Sequence, residues 1–63
     1  MTIEAPKLAA NHPDRDIHCQ ESFQRTMQMV LSEATSKGWG TIEAISAMEE
    51  VLKNLRLAYA EHP

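Results

Sequence analysis

The chain has 63 residues, 43% of them hydrophobic and 24% charged, with a net charge of −3. That length holds one small domain at most, and the scatter of its six lysines and arginines disfavours binding through nucleic-acid phosphates. Cys19 is the only cysteine, which excludes an intrachain disulfide and fits a reducing compartment, so a cytoplasmic location is expected. No apolar stretch approaches the roughly 20 residues that span a bilayer, and the opening residues lack the basic patch and apolar run of a secretory signal.

Residues 1–11 carry Ile3 and Leu8 with Pro6 between them, and no helical period. They read as a flexible N-terminal arm, or alternatively as a clasp laying Ile3 and Leu8 on the helices or on a partner. Residues 12–63 read as a helical hairpin domain.

The first helix is expected from about residue 13 to about residue 37. His12 precedes a proline and avoids helical angles, Pro13 suits the first helical position, and Asp14 and Asp16 oppose the helix dipole. Phe23, Met27, Val30, Leu31 and Ala34 share one face. Toward the N-terminus the same stripe meets Gln20 and Asp16 and fades. Gly38 supplies the left-handed stop.

In the corner Gly38-Trp39-Gly40-Thr41, Trp39 is expected as a lid over the hairpin, or else as an exposed partner anchor. The second helix is expected from Thr41, capped by its hydroxyl, to about Ala60, with Glu43 in its first turn. Ile45, Met48, Leu52, Leu55 and Tyr59 follow steps of three and four. Ala44, Val51 and Ala58 widen this row into an arc of about 160°, more than one neighbouring helix requires. Glu21 with Arg25, Glu33 with Lys37 and Glu49 with Lys53 are acid-before-base pairs on solvated faces.

Chemistry-bearing clusters are sparse. His18 and Cys19 are adjacent, about 100° apart on a helix, so the imidazole is badly placed to activate the thiol. Cys19 reads instead as a small semi-buried side chain. His18 and Glu21 share a helix face and could share a metal ion, but bundle metal sites draw such pairs from more than one helix. Gly38 and Gly40 form a corner without a phosphate-binding pattern. The mixed, acidic polar faces disfavour a membrane surface.

The run His18-Cys19-Gln20-Glu21-Ser22-Phe23, then Gly38-Trp39 and an Ala/Leu-rich helix, resembles a group of short uncharacterised bacterial helical-hairpin proteins over about residues 17–60. That resemblance implies a helical hairpin and brings no activity. The layout is also similar to the helical-hairpin aspartyl-phosphate phosphatases of sporulation control, in architecture only. Those carry a Ser and, four residues later, an Asp on the second helix, where this chain has Met48 and Leu52, and Ser46 is followed by Glu50.

The expectation is therefore an all-α antiparallel two-helix hairpin that pairs into a dimeric four-helix bundle, because burial and chain entropy nearly balance in so short a chain. Phe23, Met27, Val30, Leu31, Ile45, Met48, Val51, Leu52, Leu55 and Tyr59 are its expected core and interface. Leu52 and Leu55 are expected to be the most buried, and Leu52→Asp to unfold the protein. The expected function is that of a non-enzymatic interaction or regulatory module without a cofactor. It binds itself and a further protein, and neither nucleic acid nor membrane. Too little volume is expected for a pocket of about 300 Å³. The alternatives are a metal-binding protein using His18 and Glu21, separable by metal analysis, and a small dimeric nucleic-acid regulator, separable by a retardation assay.

Overall fold

A computed structural model describes residues 3–61, which form two helices and no strand. Helix α1 spans Arg15–Ser36 and helix α2 spans Thr41–Glu61. No helix among the described residues is long and apolar enough to cross a membrane.

Helix α1 begins two residues later than Pro13 suggests. His12 N–H donates to Ala9 O at 2.9 Å and Arg15 N–H to His12 O at 3.0 Å, so two turns lead into the helix. The His12 imidazole accepts the Asp14 N–H through Nδ1 at 3.0 Å. That side-chain bond satisfies an amide that the first helical turn would otherwise leave open, and it holds Pro13 inside the turn. The first full helical bond runs from His18 N–H to Asp14 O at 3.0 Å, which makes Asp14 the capping position.

The C-terminal end of α1 is a Schellman motif. Trp39 N–H donates to Ala34 O and Gly38 N–H to Thr35 O, both at 3.1 Å. The motif needs a left-handed residue between them, and Gly38 supplies it with φ +108°. Helix α2 then starts at once. Gly40 O accepts from Ala44 N–H at 2.8 Å, so Gly40, and not Thr41, occupies the cap. Glu43 Oε1 reaches back to accept the Gly40 N–H at 3.1 Å. This is the acidic half of a capping box, with its charge at the positive end of the helix dipole.

The chain divides into two compact units, Met1–Val30 and Leu31–Pro63, and the division falls within α1. In the first unit, residues 3–11 are joined to the start of α1 by two hydrogen bonds. Lys7 N–H donates to His18 Nε2 at 3.3 Å, and the Arg15 guanidinium donates to Leu8 O. Leu8 is half-buried, and Ile3 and Pro6 line a small cleft with Cys19 and Phe23. Phe23 is 44% exposed in the single chain, and one expectation fails here: Cys19 is exposed rather than semi-buried. Met27 and Val30 are half-buried, and the most buried residue of the unit is polar Thr26. Among the described residues no buried side-chain nitrogen or oxygen lacks a hydrogen-bond partner.

In the second unit, burial gathers at the corner. Ala44 is buried, and Leu31, Ala34, Ile45 and Met48 are half-buried. Residues 49–60 are all exposed. Leu52 and Leu55 are therefore not the buried centre of this chain: they are 51% and 47% exposed, and Val51 and Tyr59 are open as well. Within this unit α1 contributes only residues 31–36, under two turns.

Candidate functional site

The C-terminal half of α2 carries an open apolar row. Helical spacing puts Met48, Leu52, Leu55 and Tyr59 in one row. Beyond Met48 the row is uncovered, and Leu52, Leu55, Tyr59 and Ala60 line a shallow open groove together with the charged Glu49, Lys53 and Arg56. Val51 and Ala58 extend the apolar strip and are exposed as well. A contiguous exposed apolar row with a charged rim is the ordinary signature of an association surface.

The charges on this half differ from their expected pairing. Lys53 Nζ lies 3.9 Å from Glu50 Oε1, one turn back, and not beside Glu49. Among the described residues the ion pairs are this one and Lys7 with Glu4 at 3.6 Å. The expected pairs of Glu21 with Arg25, Glu33 with Lys37 and Glu49 with Lys53 are thus not formed, and among the described residues Glu49 and Arg56 line the groove without an ion-pair partner. Reading Glu49 as a helix-stabilising partner of Lys53 hid that placement. Its place beside the seam, seven residues from Arg56, was the available signal.

Trp39 is 60% exposed, so it is not a lid packed on its surroundings. The Schellman bond through its own N–H fixes its backbone, and the indole stands open at the corner.

His18 and Glu21 do come together. They line one cleft of about 520 Å³ with Glu4, Lys7, Ser22 and Arg25, so the argument that the chain is too small for a pocket does not hold. Its lining residues are all polar or charged, with polar atoms and the aliphatic stems contributing about equally to the surface, and its two acids offset its two bases. His18 Nε2 already accepts the Lys7 N–H, which sets Nδ1 as the protonated nitrogen of the neutral ring. Among the described residues no three His, Cys, Asp or Glu side chains converge as metal ligands. His18 and Glu21 are two donors where a held ion takes four or more.

Comparison with protein-family models, with curated proteins and with solved structures gives no match to this chain.

Proposed function

We propose that the chain is a small non-enzymatic interaction module that works as a helical homodimer in the cytoplasm, its two hairpins pairing into a four-helix bundle. The observation that carries this reading is the uncovered row of Leu52, Leu55 and Tyr59 on an otherwise well-formed helix. Water-exposed apolar rows of this kind are costly to leave open, and covering each leucine, already about half buried, contributes about 0.7–1.5 kcal/mol. Summed over the row in both copies, that is a sizeable part of the net stability of so small a chain. The presented Trp39 is the anchor assigned to a further protein, since aromatics that enter a pocket carry much of the energy of such contacts.

Sedimentation across a concentration series tests the reading. The unsubstituted chain is expected to sediment as a dimer at micromolar concentration. Leu52→Asp, which puts a charge into the apolar row, is expected to return it to the monomer. A chain that stays monomeric throughout would overturn the homodimer.

A further inference from the structure

The open half of α2 has a self-complementary order. Its row Met48, Leu52, Leu55 and Tyr59 is centred between Lys53 and Asn54. A second α2, reversed about that centre, sets Leu52 against Leu55 of the second copy and Met48 against its Tyr59, so large apolar residues meet along the whole seam. In heptad terms Leu52 and Tyr59 take one core position, Met48 and Leu55 the other. Glu49 and Arg56 then share one flanking position, and Val51 and Ala58 the opposite one.

Orientation follows from these flanks. In an antiparallel helix pair like flanking positions face each other, so Glu49 of each copy meets Arg56 of the other and the contact occurs twice. The other flank brings Val51 and Ala58 together and lengthens the apolar seam. In a parallel pair unlike flanks meet, which would lay Glu49 and Arg56 against Val51 and Ala58 and leave both charges unmatched. The structure supports the availability of these groups: Glu49 and Arg56 line the same groove edge as Leu52, Leu55 and Tyr59, and neither is engaged in an ion pair among the described residues. Lys53, the other cation of the segment, also lines the groove, but its ammonium lies 3.9 Å from Glu50 Oε1.

We infer that this face seats the α2 helix of a second copy of the chain, laid antiparallel with Glu49 of each copy against Arg56 of the other. The inference rests on the homodimer reading and adds its face, orientation and register.

Charge reversal in the full-length chain tests it. Glu49→Arg alone places two like-charged contacts in the dimer, as does Arg56→Glu alone. Each variant is expected to dimerise about tenfold more weakly by sedimentation equilibrium, the scale of two exposed pairs turned from attraction to repulsion. An equimolar mixture of the two variants makes only opposite-charge contacts, and its affinity is expected to return to within about twofold of the unsubstituted chain. The double variant, which exchanges the charges, is expected to do the same. If a single variant loses helicity, mixing still decides: helicity regained with the complementary variant supports the register, and helicity not regained overturns it. A dimer whose affinity ignores both reversals, or a mixture no tighter than its components, overturns the face and orientation while leaving the homodimer standing. A monomeric unsubstituted chain removes both.

Discussion

Gly38 and Gly40 stand two residues apart, and substitution at the two is predicted to act in opposite directions. At Gly38 φ is +108°, a conformation L-residues rarely adopt, yet an added Cβ meets nothing within 4 Å. The cost of Gly38→Ala is therefore backbone strain without steric clash, about 1–2 kcal/mol. Stiffening of the unfolded chain returns about 0.4–1 kcal/mol, so the net loss is about 1 kcal/mol, or a fall in Tm of about 4–8 °C for a domain of this size. Gly40 has no positive φ, and a Cβ there makes ordinary contacts at 3.6 Å with Glu43 Cβ and Oε1. Gly40→Ser completes the capping box that Glu43 half supplies, and is expected to stabilise by about 0.5–1 kcal/mol from cap and chain stiffening together. Thermal unfolding followed by circular dichroism, at one fixed chain concentration so that association does not move Tm, reads both. A chemically synthesised chain with D-alanine at position 38 sharpens the test, because a D-residue favours positive φ and should raise Tm. A Gly38→Ala chain that melts at or above the unsubstituted temperature would refute the reasoning.

Two further substitutions probe the corner. Glu43→Ala removes both the acceptor for the Gly40 N–H and the negative charge at the start of α2, and is expected to cost about 0.5–1 kcal/mol in denaturant unfolding. Glu43→Gln keeps an acceptor and should lose less; equal losses would show that the hydrogen bond contributes nothing. Ala44→Leu overfills the most enclosed apolar position and is expected to destabilise by about 1–3 kcal/mol, whereas Ala47→Leu on an exposed site should leave the midpoint unchanged. A neutral Ala44→Leu would mean that the corner has room to spare.

The helices and their boundary were legible because local chemistry determines them. Gly38 stops α1 as its sequence position requires, and α2 starts at Thr41 with Glu43 in its first turn. The departures at helix starts also have local causes: a histidine side chain takes the Asp14 amide and keeps Pro13 outside α1, and Gly40 caps α2 with help from a side chain three residues on. Burial was far less legible. Periodicity identifies residues that share a face, but coverage depends on what lies opposite, and no local pattern reports that. Leu52 and Leu55 follow the strongest period in the chain and are open, while the enclosed positions are small Ala44 and polar Thr26. Thr26 sits between Phe23 and Val30 at helical spacing, and a rule that ranks residues by hydrophobicity passes over it. For the candidate site, the apolar row was visible in the sequence. The placement of Glu49 and Arg56 beside it was harder to see, since a four-residue pairing rule gave Glu49 to Lys53, and the structure gives Lys53 to Glu50.

The reversal between the helices is closed entirely by short-range bonds: Trp39 to Ala34, Gly38 to Thr35, Ala44 to Gly40, and Gly40 to Glu43. None joins residues more than five apart, so almost no loop entropy must be spent to make it, and such local contacts form on the fastest folding timescales. The bend therefore exists early, at a speed independent of chain concentration, and whatever later settles on the far end of α2 meets a helix whose starting point and direction have already been fixed.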